Sequence, residues 1–126
     1  MDLARAWSVA GPRVVATGFA VSGAVHLVRP QVFEPMIPSA LPAPRTLVQV
    51  SGAAEIACAA GLIRGDRWAP WASAGLLLAV WPGNWQMALD VQRDRRRPAW
   101  QKAAAWARVP LQLPLVAAAL AGRRPV

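Results

Sequence analysis

The chain has one cysteine, one histidine and no tyrosine, and only six of its 126 residues are acidic. The lone Cys58 excludes an intrachain disulfide, and with no C-x-x-C pair there is no basis for thiol–disulfide chemistry within the chain. Cys58 is expected to pack as a small apolar residue. One His and one Glu inside apolar segments do not supply the ligand set of an ordinary metal centre, so no metal is expected. Charge of either sign is scarce: charged residues are 16% of the chain, against roughly 25% in soluble globular proteins. With 56% hydrophobic residues, this favours a membrane class. The length is that of a single domain spanning 1–126.

The net charge is +8. In a soluble chain this would point to nucleic acid, but no nucleic-acid motif and no basic helix with interleaved aromatics is present. Arg clusters set against anionic lipid head groups account for it, so the expected partner is a bilayer and not a nucleic acid. The opening MDLARAWSVAGPR lacks a clear A-x-A site before the Ser, His and Arg that follow. The first apolar segment is therefore expected to be a retained helix.

Four segments read as membrane helices, giving an all-α, four-helix transmembrane bundle. The first covers about 13–28, with Pro12 suited to a helix start. Gly18, Ser22 and His26 recur along it at four-residue spacing, a small and polar stripe for close helix contact. Residues 29–45 hold five prolines, a density that no regular helix tolerates. This Pro-rich loop is expected to lie back on the bundle as a lid, with a short turn near 31–36. The second helix, 46–63, and the third, 68–89, are joined by the tight charged turn RGDR and should form an antiparallel hairpin. The third has no charge over its length, the clearest spanning signal, and Pro82-Gly83 is expected to interrupt it. After the charge run at 90–97 comes a fourth helix, 103–121, in which Arg108 must snorkel or pair.

The seven tryptophans fall toward two ends, Trp7, Trp68 and Trp71 at one and Trp81, Trp85, Trp100 and Trp106 at the other, as interfacial belts do. Trp81 and Trp85, four residues apart, are read either as such packing or as an aromatic wall for a planar ligand. Orientation is weakly specified: with four spans, six cations lie on the terminal side and eight on the other. The run at 93–97 leans toward a cytoplasmic Pro-rich loop.

Glu55 carries the functional reading. It is the only charge in TLVQVSGAAEIACAAGLI, and a carboxylate in such a segment is costly enough to need a purpose. Antiparallel threading puts His26, Gln49, Ser51, Glu55, Asn84, Gln86, Arg108 and Gln112 in the same half of the bundle. Ser22/His26, Ser51/Glu55 and Arg108/Gln112 are each four residues apart and share helix faces. Glu55 is expected to pair with Arg108, or with His26 as a proton-exchanging couple. The competing account is an assembly lock, polar side chains that only bond helices together.

Several short stretches resemble the DoxX and DoxX-like family of small four-helix membrane proteins. They are HLVRP from His26, FEPMIP from Phe33, LPAPR from Leu41, SGAAE ending at Glu55, WPGN from Trp81 with Met87-Ala88, and RVPLQ from Arg108. Relatives often read Phe-Pro-Ala-Asn where this chain has Trp-Pro-Gly-Asn. The resemblance implies a multi-pass protein of a bacterial inner (cytoplasmic) membrane, with His26, Glu55, Asn84, Arg108 and Gln112 as site residues and a quinone as a lipophilic partner.

Three functions compete. The first is an accessory or redox-associated membrane subunit that binds a quinone-like molecule through Asn84, Arg108, Gln112, Trp81 and Trp85. The second is a membrane enzyme, with Glu55 as general acid and His26 as proton shuttle, acting on an isoprenoid-like substrate by isomerisation, epoxide opening or cyclisation. The third is a structural or assembly partner of a membrane protein or of a second copy of this chain.

Overall fold

Asp2 sets the start of the first helix, its carboxylate accepting the Ala4 backbone N–H at 3.1 Å. The computed structural model describes residues 2–34 and 42–123. It is all-α: α1 is Leu3–Val28, α2 Pro44–Arg64, α3 Ala69–Arg93 and α4 Ala99–Leu120, with a short 3-10 turn at Pro30–Val32. No strand occurs among the described residues. The 29–45 segment expected to form a lid is described only at its two ends; the stretch from Pro35 to Leu41 lies outside the described residues.

The helices run longer than the apolar segments that announce them. α1 begins ten residues before position 13 and contains Pro12, which the sequence reading put at its start. α3 continues through Pro82 to Arg93, where an interruption was expected. α4 runs through both Pro110 and Pro114. A proline forfeits a single backbone hydrogen bond and pushes on the carbonyl four residues earlier; packing on both sides carries the helix across that defect.

Two helices, Pro44–Arg64 and Ala99–Leu120, are long and apolar enough to cross a membrane. The third helix, expected to be the clearest span, is not one of them. It lacks charge through its middle, but Trp81, Pro82, Asn84, Trp85 and Gln86 dilute its apolar content.

α1 packs most extensively on α2, and α3 on α4; smaller seams between α1 and α4 and between α2 and α3 close the ring. The sequence hairpin of α2 and α3 therefore exists, but it is the thinnest of the four seams. Its turn follows from Gly65, which takes a left-handed φ of 77° that side chains disfavour. The Asp66 N–H then reaches the Gly61 carbonyl at 2.9 Å, the closing bond of a Schellman end.

The core has two parts. Val15, Phe19, Cys58, Leu77 and Ala118 fill the half near the chain termini. Ala88, Val91, Ala105 and Val109 join α3 to α4 in the other half. Small side chains dominate, so the backbones approach closely. The polar residues lie between these two parts.

Candidate functional site

Gly52 is where α1 and α2 come closest beside the polar residues. A Cβ placed there would stand 2.5 Å from the His26 Cβ and 3.0 Å from the Gly23 carbonyl oxygen. Only hydrogen fits, and its small size lets the His26 ring lie against α2. Glu55 follows three residues later on the same helix face. The His26 Nδ1 atom is 3.6 Å from Glu55 Oε2.

The imidazole is held on two sides. Nδ1 donates to the Ser22 backbone carbonyl at 2.6 Å, and the Ser22 hydroxyl oxygen is 3.3 Å away. With Nδ1 carrying that hydrogen, a neutral ring presents Nε2 as an acceptor. Phe33 stacks on the imidazole with ring centres 3.7 Å apart and planes within 9°. Both members of the couple are buried, His26 at 8% and Glu55 at 5% exposure. The Glu55 Oε2 atom has no hydrogen-bond partner among the described residues. A buried polar atom left this way costs about 1–3 kcal/mol, and more when charged.

The couple lines a cavity of about 260 Å³ between the four helices. Ser22, His26, Glu55, Asn84, Arg108 and Gln112 provide its polar wall, and Val15, Phe19, Leu77, Val80, Leu111 and Leu115 much of its apolar one. Of the residues singled out from the sequence, the structure thus gathers His26, Glu55, Asn84, Arg108 and Gln112 around one space. Gln112 is buried, and its amide donates to the Leu77 backbone carbonyl at 3.0 Å, binding α4 to α3.

Trp81 and Trp85 are placed elsewhere. The Trp81 indole N–H donates to the Val109 carbonyl at 2.8 Å. Trp85 packs edge-on between Trp81 and Trp106, with ring centres 6.0 Å apart in each case. Neither lines the cavity, so the aromatic wall of the sequence reading belongs to the α3–α4 contact. The Glu55–Arg108 ion pair does not form either. Arg108 is exposed and donates to the Met87 sulfur at 3.5 Å, while Glu55 is turned toward His26. Gln49 is exposed on α2, and Gln86 donates to the Asp90 carboxylate at 3.3 Å.

Three participants were not assigned to the site from sequence. In the sequence reading Phe33 is only the first residue of FEPMIP, with no role at the site. The Leu77 carbonyl carries no side-chain signal at all. Gly52 stood in plain view three residues before Glu55, and the small-residue rule for close helix contact would have marked it.

Among the described residues the molecule is thus a four-helix, all-α protein with a largely apolar cavity between its helices and two helices apolar enough to span a membrane. It belongs to the family described as Domain of unknown function (DUF8561), whose model matches residues 15–123. That match overturns the resemblance to the DoxX family. The stretches that carried the resemblance are four to six residues long, and all but one hold proline, so they reflect local turn and helix-end chemistry more than descent. No curated protein and no solved structure matches the chain.

Proposed function

We propose that the chain is a multi-pass integral membrane protein, all four helices crossing a bacterial inner membrane, whose cavity binds a quinone-like lipophilic molecule in an accessory, redox-associated role. Support for the membrane comes from the outer surface. Val21, Ile63, Trp71 and Leu113 are all more than half exposed. Less than half of the apolar stretch of either α2 or α4 is buried within the chain. In water such a surface is an aggregation liability; in lipid it is the expected exterior. At about 1.5 Å per residue, each helix exceeds the ~30 Å thickness of a bilayer core.

The ligand reading is carried by one observation: Glu55 lines a largely apolar cavity, and its buried Oε2 atom has no hydrogen-bond partner among the described residues. A molecule that brings a hydroxyl there satisfies it. A hydroquinone does so at one end of its ring, and its oxidised form offers carbonyls to Asn84 and Arg108 instead. The volume of about 260 Å³ suits one substituted ring, just below the ~300–1,000 Å³ usual for small-molecule sites. An apolar tail has an exit between α1 and α4. Val14, Gly18 and Leu111 border the cavity there and are exposed to the outside. A Cβ placed on Gly18 meets nothing within 4 Å.

The test is a thermal-shift series in detergent with short-tailed quinols and quinones, on the intact chain and on Glu55→Gln. The intact chain should melt higher with quinol, and the variant should fold but lose most of that rise. A flat series with every quinone and quinol tried would end the ligand reading. Recovery of the chain in the supernatant after alkaline carbonate treatment of membranes would end the membrane reading. The 3.6 Å approach of His26 to Glu55 favours a second reading, acid–base catalysis on an isoprenoid-like substrate with Glu55 as general acid. Turnover that survives Glu55→Gln would remove it.

A further inference from the structure

A second hollow, of about 330 Å³, lies between the end of α3 and the start of α4. Its floor includes the buried Ala105 and the half-buried Met87; its rim carries the exposed Arg97, Trp100 and Arg108, with Gln101 beside them. Arg97 approaches the Asp94 carboxylate at 3.5 Å and donates to the Gln101 side chain at 3.1 Å. Those contacts engage at most two of its five guanidinium donors. Arg108 has no acidic partner among the described residues; its guanidinium meets the Met87 thioether. The surrounding turn is strongly cationic, with Arg93, Arg95, Arg96, Arg97 and Lys102 against Asp90 and Asp94.

We propose that this hollow seats the head group of an anionic phospholipid; it shares Arg108 with the central cavity but is otherwise lined by different residues, and the proposal rests only on the membrane part of the reading above. The phosphate lies between Arg97 and Arg108, where charge-assisted hydrogen bonds to guanidinium are strong. The first carbons of the lipid lie over Met87 and Ala105, and Trp100 flanks them at the depth where indole rings gather in bilayers. A free phosphate ion would use the two arginines alone and gain nothing from the apolar floor. The charge complementarity and the apolar base together single out an amphiphile.

The experiment is native mass spectrometry of the full chain in detergent, with phosphatidylglycerol and phosphatidylcholine supplied at equal concentration. The intact chain should retain phosphatidylglycerol preferentially. Arg97→Gln should lower that retention about tenfold, the worth of one charge-assisted hydrogen bond to the phosphate, and Arg97→Lys should restore part of it. Trp100→Ala should lower retention with no change in charge. The control is Arg93→Gln with Arg95→Gln, which removes two charges from the same turn outside the hollow and should leave retention nearly intact. Equal loss in the control would reduce the effect to diffuse attraction and overturn the site. Equal retention of the two lipids would do the same, as would displacement by millimolar inorganic phosphate. Chain that resists carbonate extraction yet shows no lipid preference sinks this inference alone; chain that carbonate releases sinks the membrane reading beneath it.

Discussion

Gly52→Ala adds a single methyl group at the point where the candidate site is assembled. The added carbon would be placed 2.5 Å from His26 Cβ, 3.0 Å from the Gly23 carbonyl and 3.4 Å from Leu27 Cγ. His26 Cβ is bonded directly to the backbone and cannot swing aside, so α1 must move off α2. Overpacking of this kind costs about 1–3 kcal/mol. Against it stands the gain of roughly 0.5–1 kcal/mol for replacing glycine by alanine within a helix. Gly75→Ala isolates the two effects. Gly75 is also interior to a helix, but a Cβ there meets nothing within 4 Å. The propensity gain is common to both variants, so their difference in stability reports the clash alone, about 1–3 kcal/mol. Unfolding of the two proteins in mixed micelles, titrated with a denaturing detergent, measures it. Gly52→Ala should also widen the His26–Glu55 separation and weaken quinol-induced stabilisation. If Gly52→Ala proves as stable as Gly75→Ala, the close approach of α1 and α2 at this level is wrong, and the site built on it falls.

Gly18→Leu should plug the opening between α1 and α4, since the position borders the cavity and has room for a side chain. Thermal stability should hold while the quinol-dependent shift disappears; an undiminished shift would move the entry path elsewhere. Gln112→Leu keeps the volume but strips the Leu77 carbonyl of its side-chain donor. That carbonyl keeps its backbone donor within α3, so detergent unfolding should register a loss of about 0.5–1.5 kcal/mol, and an unchanged midpoint would show that the bond carries no weight.

The four helices were legible because long stretches without charge alternate with Arg-rich turns, and a turn such as RGDR leaves no room for anything but reversal. Their ends were less legible. The start of α1 rests on the capping carboxylate of Asp2, a signal that lies outside the apolar stretch from which the helix was read. The prolines act in the same direction: they suggest shorter helices, a rule that holds for an isolated helix and fails for helices braced by neighbours on two sides. Within the site, helical spacing and antiparallel depth were enough to collect His26, Glu55, Asn84, Arg108 and Gln112. They could not choose between two partners for Glu55. That choice depends on which way each side chain leaves its helix, and here Gly52 brings His26 inward while Arg108 stays at the surface. Spacing left the two tryptophans open to both readings because indole rings serve both purposes; the Val109 carbonyl holds Trp81, and Trp85 packs between Trp81 and Trp106.

The uneven seams of the bundle bear on what an occupant would do to it. α1 with α2, and α3 with α4, form two well-knit halves, and the hollow at Glu55 opens along the thinner junction between them. A molecule of the proposed kind lodged there would touch both halves at once and stiffen the junction between them. Its arrival or loss would then be read out by a probe of how tightly the two helix pairs are joined, such as hydrogen exchange along the facing sides of α1 and α4.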